Sequence, residues 1–255
     1  LGLDPVDAIR FATYNPAREY GFSDLGAIAP GYLADMQLLD ELDGENPYAV
    51  FVGGKLICEG GKLVDDKKEA SEYTFPNTVN MPQITCADDF RLKAPENCGD
   101  TVKTVVMTCN GVAFYEANYE ELPVKDGCVD ISGDPDLCFV AICNRYGSGD
   151  KSIAVYRGFG LEKGAVASTI SHDCHNFTVV YKDPADAFAA AKELARVGGG
   201  VTAVENGAPI STLALPVAGL MSEVPVEPLA AKTQETEKAI ATLCYGKEGM
   251  LLKTA

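Results

Sequence analysis

The chain has 255 residues, of which 47% are hydrophobic and 23% are charged, and its formal net charge is -16. This composition is typical of a globular protein and excludes a disordered chain. The strong negative charge argues against nucleic acid or an anionic membrane as the main partner, because no basic stripe is available to neutralise phosphates. No apolar run reaches the roughly 18 residues that span a membrane. With no Met and no signal segment at the start, we expect residue 1 to be a cut end of a longer chain.

The predicted elements of the first third are two short helices followed by short strands. Asp4-Pro5 and Asn15-Pro16 are helix-start signals, and Gly21 is a stop signal. A turn over 26–31 is expected to precede a strand over 36–39. Glycine pairs then separate short strands, which we predict over 48–52, 55–58 and 62–64.

Residues 65–85 combine a charge run with Ser, Asn and Pro, and this composition predicts a solvated linker. The second half then reads as strands, a helix, a hairpin and a final helix. We predict strands over 101–109 and 137–143, a β-rich stretch over 165–181, a helix from Asp183-Pro184 to the glycines at 198–200, a hairpin over 201–215 and a helix over 227–243. This order indicates an α+β fold.

Nine cysteines are scattered along the chain with no C-x-x-C pair. A structural zinc ribbon is therefore not favoured. A chain of this size does not need disulfides for stability. We expect reduced, mostly buried thiols in a cytoplasmic protein.

Both histidines of the chain lie in the polar run from Ser171 to Asn176. This run interrupts an apolar stretch, and buried polar groups are costly unless paired, so we expect a strand end or an exposed loop at a cleft. On an extended strand, Asp173 and His175 would share a face, whereas His172 and His175 would not. Three interpretations stay open: a hydrogen-bonded cluster that fixes a turn, a functional polar cluster, or a zinc site using His172, Cys174 and His175.

Three other segments are candidates for binding loops. The glycines over 157–160 and 198–200 match neither G-x-G-x-x-G nor a P-loop, so we interpret both as turns. The apolar segment 215–222 is interpreted as a packed connection, with a substrate-pocket wall as the alternative. Neither a G-x-S-x-G elbow nor the H-x-E and P-C-x-x-C deaminase signature occurs.

Residues 158–176, with Ser-Thr-Ile-Ser-His-Asp-Cys-His-Asn at their end, closely resemble the C-terminal domain of bacterial adenine deaminases. Residues 198–207 and 215–222 resemble the next two motifs of that domain, in the same order. Residues 12–17 and 26–35 resemble the end of an amidohydrolase barrel and its return into a small β-sandwich. The last two motifs are shared by many amidohydrolases, whereas the first is specific.

This resemblance implies an enzyme of adenine catabolism and purine salvage that hydrolyses adenine to hypoxanthine and ammonia. The family holds a metal centre, with manganese or iron as the usual ions, in a (β/α)8 barrel. A metal-bound hydroxide attacks the purine C6, and an acid/base group moves protons to the leaving amine. The implied domains are the last barrel helices over 1–25, C-terminal strands of the β-sandwich plus a linker over 26–84, and the adenine deaminase C-terminal α+β domain over 85–255.

The barrel itself cannot fit in this chain, because it needs about 200 residues and only its last helix or two precede Gly26. Two histidines cannot supply a di-metal centre. We therefore expect a C-terminal portion that is inactive alone and binds no metal. Its partners would be adenine, the N-terminal barrel portion of the same protein and further copies in a homo-oligomer. The rival interpretation is a non-catalytic purine-binding or oligomerisation module.

The resemblance also places the polar run in the full-length enzyme. It implies that the run lines the purine-binding cleft in a supporting role, without ligating the metal. The residues concerned are Ser171, His172, Asp173, His175 and Asn176.

Overall fold

The computed structural model describes residues 2–42, 46–64, 74–110, 114–172 and 174–245. The chain divides into two compact units, residues 1–72 and residues 73–255. Both helices and sheets are present, so the predicted α+β class is confirmed. Within the described ranges, no helix is both long enough and apolar enough to cross a membrane.

The first unit consists of two short helices and a four-stranded antiparallel sheet. Asp4 begins the first helix by accepting hydrogen bonds from the amides of Val6 and Asp7, as its sequence signal predicts. The sheet has the strand order β1-β2-β3-β4. The elements are α1 (Pro5–Ala12), α2 (Tyr14–Glu19), β1 (Met36–Leu38), β2 (Ala49–Val52), β3 (Lys55–Glu59) and β4 (Lys62–Leu63).

This first unit buries very little apolar surface. Among its described hydrophobic residues, Ala17 and Ala49 are buried. Large side chains such as Phe11, Tyr20 and Ile28 are 57%, 78% and 83% exposed. Since apolar burial is the main favourable term in folding, the described part of this unit has a weak core of its own.

The second unit is built on one nine-stranded sheet with the strand order β13-β12-β10-β11-β8-β9-β5-β6-β7. Its strand pairs are antiparallel, except that β5 and β9 run parallel. The strands are β5 (Thr101–Asn110), β6 (Phe114–Lys125), β7 (Cys128–Val129), β8 (Leu137–Cys143), β9 (Lys151–Arg157), β10 (Ala165–Ser168), β11 (Phe177–Tyr181), β12 (Gly200–Glu205) and β13 (Ala208–Ala214).

Two helices cover opposite faces of this sheet. Helix α3 (Pro184–Val197) packs on the face that carries Ala165 and Tyr181, and α4 (Val226–Leu243) packs on the face that carries Val166. Because neighbouring residues of a strand point to opposite faces, the fully buried strand β10 contributes to both cores. The sequence signals for these elements are confirmed: Asp183 caps α3, Gly198 ends it with φ 85°, and Asn206-Gly207 turns the β12–β13 hairpin.

Three predictions differ from the structure. The sequence analysis did not predict strands β6 and β9, because their Glu, Tyr, Lys and Ser residues hide the apolar–polar alternation that indicates a strand. The β-rich stretch over 165–181 is two paired strands joined by a loop. The predicted linker over 65–85 lies partly outside the described residues, and its end belongs to the second unit: the Asn77 side chain donates to the Ala195 carbonyl oxygen at 2.8 Å, and Val79 is buried.

The prediction of mostly buried thiols is wrong. Of the eight cysteines whose surroundings are described, only Cys138, Cys143 and Cys244 are buried. All eight are free thiols. Most of the others lie in loops or on short edge strands, where a small side chain has few neighbours to cover it.

Candidate functional site

The polar run lies in the loop that connects β10 to β11, residues 169–176, hereafter the His loop. The two strands are antiparallel neighbours, with Ser168 opposite Thr178. The amide of His175 donates to the carbonyl oxygen of Ser171 at 2.6 Å and closes a tight turn. His175 has φ 49°, a left-handed conformation that non-glycine residues seldom adopt. The expectation of an exposed loop in place of a continuous strand is thereby confirmed.

The structure gives the side chains of the His loop different surroundings. His172 and Cys174 are exposed, whereas Ser171, His175 and Asn176 are half-buried. The Ser171 hydroxyl accepts a hydrogen bond from Thr178 at 2.8 Å. Asp173 lies outside the described residues, so its pairing with His175 stays a prediction. The strand-face argument does not apply, because these residues form a turn.

Two side-chain atoms of the loop are buried without a hydrogen-bond partner among the described residues. They are Nδ1 of His175 and Oδ1 of Asn176. A buried polar atom without a partner costs about 1 to 3 kcal/mol. These two atoms are therefore the ones that gain most from contact with a polar ligand or a further protein segment.

The zinc interpretation is not supported. Among the residues that the structure describes, no three His, Cys, Asp or Glu side chains are close enough together to hold a metal ion. His172, Cys174 and His175 therefore do not form the ligand set that this interpretation requires.

Arg145 lies beside the His loop and is 1% exposed. Its Nε donates to the carbonyl oxygen of His175 at 2.5 Å, and one Nη donates to the hydroxyl of Thr78, also at 2.5 Å. The other Nη donates to the carbonyl oxygen of Ala218 at 2.9 Å. The guanidinium also lies 4.5 Å from the ring centre of Tyr146, whose hydroxyl donates to the same His175 oxygen at 3.3 Å.

Burial lowers the pKa of Arg145 below its ordinary value, because desolvation disfavours the charged form. An arginine is protonated at neutral pH even so. The acceptors described for it are neutral oxygens. The result is a buried cation just beyond the end of strand β8, surrounded by carbonyl and hydroxyl groups.

Two glycine segments pack against the same place. Thr169 donates from its hydroxyl to the Gly219 carbonyl oxygen at 2.6 Å and accepts from the Gly200 amide at 2.8 Å. A Cβ at Gly199 would lie 2.5 Å from the Gly219 Cα, and a Cβ at Gly219 would lie 2.8 Å from an Arg145 Nη. The glycines thus allow the close approach of segments 198–200 and 215–222.

The sheet topology explains why these segments meet. Cys143, the last residue of β8, is paired with Phe177, the first residue of β11. Gly200, the first residue of β12, is paired with Ala214, the last residue of β13. Ser168, the last residue of β10, lies opposite both Thr178 of β11 and Val201 of β12. The loops that follow β8, β10 and β13 and the one that precedes β12 therefore leave the sheet at the same end of its strands. We call this region the arginine junction. It consists of Arg145, the His loop, Thr78 and the segments 198–200 and 215–222.

Sequence reasoning missed Arg145 and Thr78. A usable signal for Arg145 was the polar run Asn144-Arg145-Tyr146 directly after the apolar strand β8. Thr78 lies in a segment that its composition predicted as linker, and nothing local indicates its contact.

A cavity of the second unit lies away from the arginine junction. Its volume is about 440 Å³, and its lining includes Pro135, Phe139 and Lys182. Phe139 is paired with Tyr181, at the far end of β8 and β11 from the His loop. This cavity and the junction therefore lie at opposite ends of these two strands.

Comparison with known families assigns both units. Residues 113–254 match the model of the adenine deaminase C-terminal domain, and residues 1–57 match the amidohydrolase family. The first match contains the His loop and most of the arginine junction.

Individual relatives agree with this assignment. An adenine deaminase from Desulforamulus reducens is 39% identical over 243 residues, which are 93% of this chain and 41% of the relative. Adenine deaminases from Ruegeria sp. (strain TM1040) and Moorella thermoacetica are 36% and 38% identical, covering 94% and 93% of this chain and 40% of each relative. The chain thus spans about 40% of the length of the curated relatives it matches.

Proposed function

Because this chain belongs to the adenine deaminase family, whose C-terminal domain it contains, we propose that it is the C-terminal portion of an enzyme that hydrolyses adenine to hypoxanthine and ammonia. The observation that carries the proposal is the arginine junction: three segments with family resemblance meet there, and two buried polar atoms have no partner among the described residues. In the cell this activity would serve adenine catabolism and purine salvage in the cytoplasm.

In this proposal the His loop lines the purine cleft of the full-length enzyme. Adenine offers ring nitrogens that accept hydrogen bonds and an amino group that donates them. The Oδ1 of Asn176 accepts from such a donor, and a ring nitrogen of His175 can donate to a ring nitrogen of the purine. His172, exposed on the same loop, and Asp173 would act beside them, with Ser171 holding the base of the loop through Thr178.

The amidohydrolase relationship implies a metal ion, for which we propose manganese or iron. The described residues of this chain do not fit such a site, because they contain no group of three metal-binding side chains. The ligands are therefore assigned to the N-terminal portion, which this chain does not include. The residues of the His loop act by binding and orienting the purine.

The first unit supports the proposal of an N-terminal partner portion. Its sheet and helices leave large apolar side chains exposed, including Phe11, Tyr20 and Ile28. Exposed apolar side chains mark an interaction site where they form a patch. We propose that the N-terminal barrel portion of the same protein covers it, and that the full-length protein is a homo-oligomer.

The test is the activity of the full-length protein. Purified with manganese or iron, it should convert adenine to hypoxanthine with release of one ammonia per purine. Adenosine and guanine serve as competing substrates. No hypoxanthine from adenine in a folded, metal-loaded preparation would refute the proposed function.

A further inference from the structure

We propose that Arg145 is a positioning residue that fixes the His loop in the conformation presenting His175 and Asn176 to the substrate. The claim that the loop contacts the substrate rests on the proposed function. The claim that Arg145 holds the loop rests on the contacts of its guanidinium alone, and each claim has its own experiment.

The guanidinium joins three segments that are distant in the sequence. Its nitrogens donate to oxygens of Thr78, His175 and Ala218. Each of these residues lies in a different loop segment at the same end of the strands. The planar fork of an arginine suits three acceptors in different directions, and the point charge of a lysine does not. The side chain therefore sets the distance between the His loop and its two neighbours.

A purely stabilising role does not explain this arrangement. A buried cation loses its hydration, and the acceptors described for Arg145 are neutral oxygens, which compensate less than a carboxylate does. Apolar side chains of similar volume often serve stability at least as well as buried charges. The guanidinium contributes fixed hydrogen-bond directions, and these determine where each acceptor oxygen lies.

The fixed acceptor on the His loop is the carbonyl oxygen of His175. It receives hydrogen bonds from Nε of Arg145 and from the hydroxyl of Tyr146. The residue has φ 49°, and its Nδ1 and the adjacent Asn176 Oδ1 are buried without described partners. Both features are unfavourable for the free loop, so external contacts must hold it. Holding the backbone of His175 fixes where the half-buried side chains of His175 and Asn176 lie, and so preorganises their exposed part for a ligand.

The first experiment measures amide hydrogen exchange of the present chain. We compare Arg145→Lys, Arg145→Met and Tyr146→Phe with the wild type, and use Arg157→Met as the matched control. Arg157 lies in the same sheet but binds the carboxylates of Glu120 and Asp134.

Amides of the His loop should exchange about tenfold faster in Arg145→Lys, more in Arg145→Met, and less in Tyr146→Phe, because one donor to His175 is kept. The control should leave exchange in the loop unchanged. Should Arg145→Met fail to fold, the other two variants decide. Unchanged exchange in folded Arg145→Lys and Tyr146→Phe would overturn the proposal.

The second experiment uses the full-length enzyme and a double-variant cycle. Arg145→Lys should lower kcat/KM for adenine roughly tenfold, and its effect should be smaller in the His175→Ala background, since part of what Arg145 positions is then already lost. Additive losses would show that Arg145 does not act through the His175 side chain and would overturn the positioning role. Absence of adenine deamination in the wild type would refute the proposed function, and hydrogen exchange would still decide the role of Arg145 in the loop.

Discussion

Nε of Arg145 and the carbonyl oxygen of His175 are 2.5 Å apart, although 30 positions separate the two residues in the sequence. This hydrogen bond joins the loop that follows β8 to the end of the His loop, two residues before β11 begins. It holds His175 in a left-handed conformation whose cost is of order 1 kcal/mol or more for a non-glycine residue. The backbone of His175 is thus held by a residue that sequence reasoning overlooked.

The first prediction concerns the two histidines in the full-length protein. His172→Ala and His175→Ala should each lower kcat/KM for adenine, by about tenfold to a hundredfold where the lost hydrogen bond has a charged partner, because such a bond contributes roughly 1.5 to 3 kcal/mol. His175→Asn separates ring loss from backbone strain, since Asn tolerates positive φ. Kinetics are measured beside the melting temperature.

Cys174→Ala is the matched control for this series, because Cys174 is exposed in the same loop. It should keep wild-type kinetics. If both histidine variants kept wild-type turnover and adenine affinity while melting earlier, the loop would be structural and the active-site role would be abandoned.

The second prediction is that the 255-residue chain does not deaminate adenine, even with added manganese. The chain has two histidines, and its described residues include no group of three metal-binding side chains. The measurement is hypoxanthine formation by the pure chain, with and without a chelator. Metal-dependent product above the buffer blank would contradict it.

The third prediction concerns the relative stability of the two units. Residues 36–64 should exchange their amide hydrogens faster than residues 165–215. In the described first unit Ala17 and Ala49 are the buried hydrophobic residues, whereas β10 is buried on both faces. The measurement is hydrogen exchange on a preparation shown to be monomeric. Equal protection of the two ranges would refute the expected weakness of the first unit.

Much of the second unit could be predicted from local sequence signals. Asp183 and Gly198 fix the ends of α3, and Asn206-Gly207 fixes the β12–β13 turn, because each acts on backbone geometry within a few residues. Strand β6 was missed, since most of its side chains are exposed and its alternation has no apolar face to reveal it. Local patterns identified the His loop.

The contacts of Arg145 could not be predicted in the same way. Its acceptors lie 67, 30 and 73 positions away along the chain. They come together only because strands β8, β10, β11 and β12 are neighbours in the sheet. That order is a property of the whole fold, and no local pattern carries it.

The fourth prediction tests the close packing of glycines at the arginine junction. Gly199→Ala should lower the free energy of unfolding by about 2 to 4 kcal/mol, because φ is 111° and the new Cβ would lie 2.5 Å from the Gly219 Cα. Gly127→Ala is the control: φ is also positive, at 71°, but no atom lies within 4 Å, so only about 1 to 2 kcal/mol should be lost. Urea denaturation measures both. Equal losses would show that close contact does not matter at Gly199.

The fifth prediction concerns Asp89 and pH. The amide of Thr85, helped by the amide of Cys86 and the hydroxyl of Thr85, holds the pKa of Asp89 well below its usual range. Because the folded-state pKa lies below the unfolded one, the stabilisation is fully present above about pH 4 and is lost as pH falls further toward the folded-state value. Asp89→Asn should therefore lower the free energy of unfolding at pH 7 by about 1 to 3 kcal/mol.

The difference between Asp89→Asn and the wild type should shrink as the pH is lowered below about 4, because protonation then removes the same charge from the wild type. Asp88→Asn is the matched control. Asp88 is 76% exposed and pairs with Arg91 at the surface, so its loss should change stability by less than about 1 kcal/mol at either pH. Urea denaturation at pH 7 and at acid pH gives the four values. A difference for Asp89→Asn that stays constant between the two pH values would show that the carboxylate charge is not what stabilises this turn.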